Sequence, residues 1–584
     1  MKVAVLFICA AIAACVAAGQ TSQTTSVQTK PSQTNPVSIP VSINVDLAEP
    51  VGSYKPITTW FGYDESNYTT MKYGRQLLGE LHDLSPAPVY IRAHHLLTSG
   101  NGVPELKWSS SNVFSLDKDG KPVYDFTITD QTFDAFQQAG VRPFVELGFM
   151  PRDLAANVPG ITEYQLHYPK PTMGGASNNP PKDYKMWGEL VRKFTQHLVE
   201  RYGRSQVSNW YFEVWNEPDI IYWHGTPQEY FKLYDYAVAG VRAALPNAMV
   251  GGPATTGPSG AKSSAFLESF LDHCLREKSA ADGKPIPLDF ISFHPKGRTT
   301  FVDGPVGGHV RMGLSNELQA AQTGFEIVAK YPQYHRLPII LSEADPEGCA
   351  ACSMKDNPAN AYRNGPLYAA YTAAAIKALF ELQDATKVNL IAMLSWSFEY
   401  ENKNYFEGFR TLSTNGVDKP ILNLFRMSGL MAGRRVATTS TGQIPLDDLV
   451  KTGVRQASDP AVSDVDAFAT KADHEAAVMV WNYHHDDLPA PAADVTVTVA
   501  GIPAGVKRVL LEHYRIDDSH SNAYTAWKNM DSPQSPTPDQ YAQLKAAGQL
   551  EQLTSPTWLE VTGGKVTIET SLPRQAVSLL RLKW

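Results

Sequence analysis

Between Thr58 and Leu430 the chain alternates short apolar, β-branched segments with longer amphipathic stretches, and this alternation constrains the fold more than any other feature. Each short segment is followed by a helical pattern or by a loop that leads into one. The eight candidate strands are TTWFGY, PVYIRAH, RPFVELG, NWYFEVWN, MVGGP, DFISFH, PIILSEA and VNLIAMLSW. Eight strands that alternate with helices predict an α/β fold, the (β/α)8 TIM barrel, over 55–435.

A doubly wound parallel sheet is the alternative arrangement for strands that alternate with helices. In its nucleotide-binding form, that fold carries a Gly-rich phosphate loop directly after the first strand. The first candidate strand here, TTWFGY, is followed by DESNYTT, which contains no glycine. The sequence therefore favours the barrel.

After about Arg435 the pattern changes to short segments with period-two alternation, separated by turn residues. This pattern predicts an appended antiparallel β-sandwich domain over 436–584. The segment 38–54, before the barrel, alternates in the same way and is predicted to pair with that domain. The polar stretch 517–552 is predicted to form an excursion between two of its strands. The segments are AAVMVWNYH, ADVTVTVAGI, VKRVLLEHYRI, GKVTIETSL and AVSLLRLKW.

The N-terminus has the pattern of a secretory signal peptide: one lysine, an apolar stretch, then small residues. Two processing sites are open. Cleavage before Gly19 would make 1–18 the signal peptide, whereas a lipobox-like sequence ending at Cys15 would make that cysteine a lipid anchor. The following 19–37 is rich in Ser, Thr, Gln and Pro and predicts a flexible linker. We therefore expect an exported protein, which is periplasmic, extracellular or an outer-membrane lipoprotein.

Charge and cysteine content exclude several other classes. The net charge is −8 with no basic stripe, which argues against a nucleic-acid partner. The cysteines beyond the N-terminal segment are Cys274, Cys349 and Cys352, too few for a disulfide framework. Cys349 and Cys352 either form a local disulfide that braces a loop or remain free thiols. No second cysteine pair or histidine cluster completes a zinc site, so no metal is predicted.

Two glutamates mark the candidate site. Glu217 follows the fourth candidate strand and Glu343 follows the seventh. Because the carboxyl ends of barrel strands converge on one face, both side chains are expected to reach one pocket. A pair of carboxyl groups around a glycosidic oxygen is what glycoside hydrolysis requires, one to protonate the leaving group and one to attack or to activate water. Asn216 is positioned to hold the sugar 2-hydroxyl.

With these residues in place, the chain resembles glycoside hydrolase family 39, which includes retaining β-xylosidases and α-L-iduronidases. The resemblance implies a barrel with a β-sandwich, Glu217 as acid/base, Glu343 as nucleophile, an oligosaccharide or polysaccharide substrate and no cofactor. It is carried by FGYDESNYTTM, VYIRAHHLL, WYFEVWNEPDI, DFISFHPKG, ILSEADPEG and LPRQAVSLLRLKW.

Further residues line up with the sugar-binding positions of that family, all at or just after strand ends. The tryptophan among them would form an apolar floor beneath the sugar, and one of the two glutamates would bind sugar hydroxyls. The arginine is open to an alternative role as an ion-pair partner in the barrel mouth, the second histidine to one as a buried core residue, and the tryptophan to one in packing alone. The positions are Arg92, His94, His294, Trp396, Glu399 and Glu401.

Lys296 departs from the xylosidase pattern, and the iduronidase branch has the same His-x-Lys-Gly arrangement. The leading hypothesis is a secreted retaining exo-glycosidase that removes terminal β-D-xylosyl or related pentosyl residues. One alternative is an arabinosidase or a uronidase, with Lys296 binding an acidic sugar. Lys296 is equally open to a role in which its ammonium group extends to solvent or pairs with a neighbouring acid. Another is a non-catalytic carbohydrate-binding barrel. Separately, the sandwich itself could bind polysaccharide through His513, Tyr514 and Trp527.

Overall fold

The structure is a computed structural model. It describes residues 38–161, 163–164, 175–304, 308–454 and 462–584. The predicted signal peptide, Cys15 and the linker lie outside the described residues. Within the described part of the chain, no helix is both long and apolar enough to span a bilayer.

The eight candidate strands form a closed parallel barrel, which confirms the predicted fold. The eighth strand is interrupted at Leu394, and its first piece pairs with the seventh strand while its second piece pairs with the first strand. This double pairing closes the ring. The barrel strands are β2 (Trp60–Tyr63), β3 (Tyr90–Ala93), β6 (Arg142–Leu147), β7 (Tyr211–Val214), β8 (Met249–Thr256), β9 (Phe290–His294), β12 (Pro338–Leu341), β13 (Asn389–Met393) and β14 (Ser395–Trp396).

Helices alternate with these strands, and their ends follow from local sequence. The Asp183 side chain accepts hydrogen bonds from Lys185 N and Met186 N at one helix start. Thr226 and Glu229 form a capping box at another, with Pro227 in the first turn. The barrel helices are α1 (Lys72–His82), α2 (Thr127–Ala139), α3 (Tyr184–Tyr202), α4 (Arg204–Val207), α5 (Pro227–Ala244), α6 (Ala261–Arg276), α7 (Leu314–Ala329), α8 (Pro366–Thr386) and α9 (Pro420–Gly429).

Nine of the described strands form a second sheet, here called the C-terminal sheet. Its order is β22-β21-β24-β19-β18-β17-β1-β20-β23. The sheet is mixed rather than purely antiparallel, because β1 pairs in parallel with β20 and antiparallel with β17. The strands are β1 (Ile39–Ser53), β17 (Arg434–Ser440), β18 (Asp464–Ala472), β19 (Glu475–Tyr483), β20 (Ala493–Ala500), β21 (Arg508–Ile516), β22 (Glu551–Glu560), β23 (Lys565–Leu572) and β24 (Val577–Lys583).

The C-terminal sheet folds over an apolar core of its own. Side chains from strands near opposite ends of the order, such as Ile568 of β23 and Leu511 of β21, belong to one buried cluster. This closure gives the domain the layered packing of a sandwich. Its other face packs on the barrel, where Met479 and Trp481 join the apolar cluster of the barrel helices.

The remaining elements are short. The stretch predicted as an excursion contains α11 (Ala523–Asn529) and α12 (Pro538–Ala547), and α10 (Leu446–Thr452) precedes β18. Among the described residues, three pairs of short antiparallel strands lie in the loops of the barrel. They are β4–β5 (Phe114–Leu116, Pro122–Tyr124), β10–β11 (Thr300–Val302, His309–Arg311) and β15–β16 (Ser413–Thr414, Val417–Asp418). Single 3-10 turns cover Ser66–Thr70, Arg152–Leu154, Gly175–Asn178 and Pro358–Asn364.

Candidate active site

Glu217 and Glu343 meet at the carboxyl end of the barrel. Glu343 follows β12 directly after Ser342, and Glu217 follows β7 in a left-handed conformation with φ of 44°. That conformation is uncommon for a residue with a Cβ, and such strain concentrates at functional sites. The Glu217 N–H donates to Ala254 O at 2.9 Å and ties the strained turn to β8. Two strands far apart in the chain therefore place two carboxyl groups in one pocket.

The separation of the two carboxyl groups is short. One side-chain oxygen of Glu217, one of Glu343 and one ring nitrogen of His294 all lie within 4.8 Å of one another. Glycosidases that retain anomeric configuration hold their carboxyl groups about 5–5.5 Å apart, and inverting enzymes about 6.5–9.5 Å apart. The approach of the nearest oxygens is closer to the retaining spacing than to the inverting one.

Cations surround Glu343. Lys296 Nζ lies 2.6 Å from its Oε2, and Arg92 Nη1 donates to its Oε1 at 3.1 Å. Burial alone would raise the pKa of Glu343, but the charges of Lys296 and Arg92, with the neighbouring histidines, outweigh burial and hold the pKa well below its ordinary value. Glu343 is therefore ionised throughout the physiological pH range.

Glu217 has the opposite environment. Burial, and next the negative charge of Glu343, raise the pKa of Glu217 to about 8. His294 Nδ1 lies 2.9 Å from Glu217 Oε1, and its Nε2 lies 3.1 Å from Ser342 Oγ. Burial lowers the pKa of His294 to about 4, so the ring is neutral and does not favour the Glu217 anion by charge. At neutral pH Glu217 holds a proton beside an ionised Glu343.

Two buried acids that the sequence analysis missed, Glu146 and Glu213, bind Arg92, which in turn binds Glu343. Arg92 Nε donates to Glu213 Oε2 at 2.5 Å, and its Nη2 lies 2.9 Å from Glu146 Oε2. Both acids are fully enclosed and belong to β7 and β6. With Glu343 they surround Arg92 with three carboxylates. Arg92 is thus an ion-pair residue that orients the site, as the alternative interpretation of its sequence position allowed. A lone acid within an otherwise apolar strand was the only sequence pattern that pointed to Glu146 and Glu213.

His94 is also held by acids. Its Nδ1 lies 2.6 Å from Asp64 Oδ1 and its Nε2 lies 2.8 Å from Glu146 Oε2. Burial would lower the pKa of His94, but Glu146 and Asp64 outweigh it and raise the pKa to about 10. His94 Nε2 is 3.8 Å from Glu343 Oε1, so the imidazolium adds a further positive charge near Glu343.

Lys296 bridges two acids. Besides Glu343, its Nζ binds Asp345 Oδ2 at 3.0 Å. Burial would lower the pKa of Lys296, but Glu343 and Asp345 outweigh it and raise the pKa. Asp345 is buried and also accepts from Trp396 N at 3.0 Å. Lys296 is therefore a charged, internally paired residue whose side chain keeps 16% exposure.

Asn216 and Trp396 lie in the same network. Asn216 Oδ1 accepts from Arg92 Nη2 at 3.1 Å, which orients the amide group. The Trp396 ring lies 4.3 Å from the His94 ring, centroid to centroid, and 5.0 Å from the Arg92 guanidinium carbon. Trp396 is only 3% exposed, so it supports Arg92 and His94 and offers little free ring surface to a sugar.

Glu399 and Glu401 bind elsewhere. The Glu399 carboxylate is buried and accepts from Ser413 Oγ and, at 2.8 Å, from Asn415 N in the β15–β16 hairpin. Glu401 accepts from Tyr73 N at the start of α1. The structure brings neither side chain into the network around Glu343, because each is used to hold a loop or a helix end. Their predicted role in sugar binding receives no support from these contacts.

Other predicted features are placed as follows. Cys349 and Cys352 form a disulfide in the loop that follows Glu343, which decides between the two alternatives for this pair. His513 and Trp527, suggested as polysaccharide-binding residues, are buried. Tyr514 is half-buried and packs against the apolar cluster of the barrel. The exposed tryptophan of the C-terminal sheet is instead Trp558, on the edge strand β22.

Glu217, His294 and Glu343 are also, among the described residues, the one group of acidic, histidine and cysteine side chains close enough to share a metal ion. Both oxygens of Glu343 already bind cations, Arg92 and Lys296, so a metal ion would meet two positive charges at short range. The absence of a metal stays a prediction.

A parallel barrel that holds one protonated and one ionised carboxyl group in a single pocket defines the class of the protein, a glycoside hydrolase acting on a carbohydrate substrate. The profile described as glycosyl hydrolases family 39 matches residues 89–563. The chain belongs to this family.

Curated relatives of the chain include β-xylosidases and α-L-iduronidases. A β-xylosidase from Caldicellulosiruptor saccharolyticus is 25% identical over 471 residues, which cover 79% of this chain and 84% of that protein. A β-xylosidase from Geobacillus stearothermophilus is 25% identical over 507 residues, covering 85% of this chain and 86% of that protein. An α-L-iduronidase from Homo sapiens is 26% identical over 423 residues, covering 68% and 60%.

Solved structures share the fold over nearly the whole chain. A monomeric β-xylosidase from Caulobacter crescentus superimposes with a TM-score of 0.70 at 22% identity, covering 93% of this chain and 99% of that one. A bacterial orthologue of human α-L-iduronidase superimposes with a TM-score of 0.71 at 19% identity, covering 94% and 84%. The arrangement of barrel and C-terminal sheet is common to both kinds of enzyme.

Proposed function

We propose that the protein is an exported, retaining exo-glycosidase that removes terminal β-D-xylosyl or related neutral pentosyl residues. The observation that carries the choice of a neutral sugar is the pairing of Lys296. Its ammonium group already binds Glu343 and Asp345, so this lysine is not a free cation for the carboxylate of an acidic sugar. An additional anion would have to displace one of these two acids.

The mechanism assigns one role to each carboxyl group. Glu343, ionised, attacks the anomeric carbon and forms a glycosyl ester, while Glu217 transfers its proton to the departing glycosidic oxygen. Glu217, now ionised, takes a proton from water, which attacks the ester and regenerates Glu343. Asn216, whose Oδ1 is held by Arg92, is assigned the hydrogen bond from its NH2 group to the sugar 2-hydroxyl, a contact that strengthens as positive charge develops on the ring.

The length over which each relative matches this chain also supports a neutral pentose as the substrate. The two β-xylosidases match along 84% and 86% of their own length, whereas the human α-L-iduronidase matches along 60%. The sequence pattern of the N-terminal segment supports export.

The test is release of nitrophenol from a panel of aryl glycosides that includes β-D-xyloside, α-L-arabinosides and α-L-iduronide. We expect the wild-type protein to hydrolyse the xyloside, and Glu343→Gln to abolish this activity. Glu326→Gln, an exposed position on α7, is the matched control and should keep wild-type activity. Proton NMR of the first product should show the β-anomer, and an initial α-anomer would overturn the retaining mechanism.

A uronidase is the second candidate, because the Lys296 side chain keeps partial exposure beside Glu343. In that case activity would be confined to the iduronide, and Lys296→Met would remove it. Turnover of the xyloside with none of the iduronide would exclude this alternative. Sugar binding without turnover of any glycoside would instead favour the non-catalytic barrel.

A further inference from the structure

Asp64 is the charged group of the pocket for which the proposed mechanism has no role. It follows Tyr63, the last residue of β2, and therefore lies at the same carboxyl end of the barrel as Glu217 and Glu343. Glu146 and Glu213 are fully enclosed and Glu343 keeps only 7% side-chain exposure, but Asp64 keeps 22%. Asp64 is therefore the most accessible of these four acids.

The contacts of Asp64 use one oxygen. Asp64 Oδ1 lies 2.6 Å from His94 Nδ1, and the other nitrogen of that ring is 3.8 Å from Glu343 Oε1. One imidazole ring thus separates Asp64 from Glu343. No described residue donates a hydrogen bond to Asp64 Oδ2, so this oxygen is available to a ligand.

The charge state of Asp64 defines the kind of ligand. Burial would raise its pKa, but the His94 imidazolium outweighs burial and holds the pKa below its ordinary value. An ionised carboxylate only accepts hydrogen bonds. With Glu343 also ionised nearby, an anionic ligand group would be repelled, whereas a neutral hydroxyl group would be bound.

The position of β2 in the barrel indicates which hydroxyl group. Asn216 and Glu217 follow β7, the fourth strand of the ring, whereas Asp64 follows the first. A sugar that places its 2-hydroxyl near Asn216 and its anomeric carbon at Glu343 therefore directs its far edge, carbons 3 and 4, away from β7 and towards β2. We propose that Asp64 accepts a hydrogen bond from the 3- or 4-hydroxyl of the terminal sugar and selects for that group. This proposal rests on the proposed function, which places a terminal neutral sugar at Glu343.

The experiment compares nitrophenyl β-D-xyloside with its 3-deoxy and 4-deoxy analogues, using the wild-type protein and Asp64→Asn. A hydrogen bond to a charged group is worth about ten- to hundredfold in kcat/KM. We expect wild type to lose about that factor on one deoxy analogue. Asp64→Asn should lose a similar factor on the parent xyloside and far less on that same analogue. An equal loss on the parent and on both analogues would overturn the proposal, since Asp64 would then act only through His94.

Glu65→Gln is the matched control. Glu65 is the neighbouring carboxyl group, but it is buried and accepts from Lys107 N at 2.7 Å. Its substitution should leave the ratio of parent to deoxy activity unchanged, whatever it does to stability. Should Asp64→Asn fold poorly, Asp64→Ser is used with the same ratio as the criterion.

Failure of this proposal is distinct from failure of the proposed function. Hydrolysis of the parent xyloside by wild type decides the proposed function alone. If another glycoside of the panel is hydrolysed instead, the same comparison is made with the 3-deoxy and 4-deoxy analogues of that glycoside. If none is hydrolysed, the ratio is taken from the Kd of D-xylose and its deoxy derivatives. In each case, the proposed role of Asp64 is overturned if Asp64→Asn has the same ratio between the parent sugar and its deoxy analogues as the wild type.

Discussion

Glu217 and Glu343 are the same side chain in two environments. Burial acts on both in the same direction, but Glu343 has Lys296 and Arg92 as neighbours whereas Glu217 has the negative charge of Glu343 and a neutral His294. Their pKa values are therefore driven apart, as the proposed division into acid and nucleophile requires. The residues that tune the pair thus determine the pH range of activity.

The pH profile should show this division. Glu217 must be protonated to act as the acid, so kcat/KM should fall as the pH rises through its pKa of about 8. In Glu217→Gln this basic limb should disappear, and kcat should drop about 10²–10⁴-fold for substrates with poor leaving groups. The measurement is kcat/KM for aryl xylosides of graded leaving-group pKa between pH 4 and pH 10. A basic limb that persists in the variant would assign the acid to another residue.

Lys296 gives a prediction on the acidic side. Lys296→Met removes the nearest positive charge from Glu343, so the pKa of Glu343 should rise and the acidic limb of kcat/KM should move up by about 1–3 pH units. Lys330→Met is the control, since that lysine pairs with Glu268 on the surface. An acidic limb that does not move would show that Lys296 does not tune Glu343.

The sequence predicts some residues of the site and misses others. Glu217 and Glu343 follow strands directly, so the barrel pattern alone predicts that they converge. Glu146 and Glu213 lie inside strands whose other residues are apolar, and only the tertiary structure shows that they surround Arg92. Glu399 and Glu401 also follow a strand, but local donors bind them first.

Among the elements, α3 and α5 cross at two glycines. A Cβ on Gly240 would lie 2.4 Å from Gly188 O, and a Cβ on Gly188 would lie 3.0 Å from Tyr236 O. The helix α3 precedes β7 in the chain and α5 follows it, and Glu217 lies between β7 and α5. The close crossing of the two helices therefore helps to position β7 and Glu217.

Gly240→Ala should therefore destabilise the protein by about 1–3 kcal/mol, because a backbone atom cannot move aside as a side chain can. Gly79→Ala on α1 is the matched control. Its Cβ would meet nothing within 4 Å, and alanine in a helix interior should stabilise by about 0.4–1 kcal/mol. Chemical denaturation of both variants measures the difference, and equal stabilities would contradict the close crossing.

Strands of the C-terminal sheet were predicted where apolar residues recur regularly, and were missed where polar residues break the apolar pattern. The strands β17, β18 and β22 were not predicted. In β18 the acids Asp464 and Asp466 are buried, which no alternation of apolar and polar residues indicates. In β22 most residues are exposed because the strand lies at an edge of the sheet.

In the whole molecule, barrel and C-terminal sheet share apolar contacts. Met479 and Trp481 of β19 belong to the barrel cluster, and α8 packs against β19. We therefore expect the two parts to unfold together. Sequence analysis predicted that the segment 38–54 pairs with the C-terminal domain, but not the register or the direction of its pairing with β17 and β20. These segments are hundreds of residues apart in the chain.

Ile43 of β1 tests this coupling. It is fully buried in the core of the C-terminal sheet, so Ile43→Ala should cost about 2–5 kcal/mol. Loss of glycosidase activity on heating and loss of sheet circular dichroism should shift to lower temperature together. Asn44→Ala, exposed on the same strand, is the control and should change little. Activity that survives melting of the sheet would show independent domains.

The position of β1 also sets an order of events during synthesis. Its antiparallel partner β17 ends at Ser440, and its parallel partner β20 ends at Ala500. At about 5–20 residues per second, a ribosome needs roughly 20–80 s after making β1 to supply the nearer of these partners, β17. Throughout that interval an alternating apolar strand has no native neighbour. The C-terminal sheet cannot be completed until almost the entire chain has been synthesised, because its strand β24 ends at Lys583.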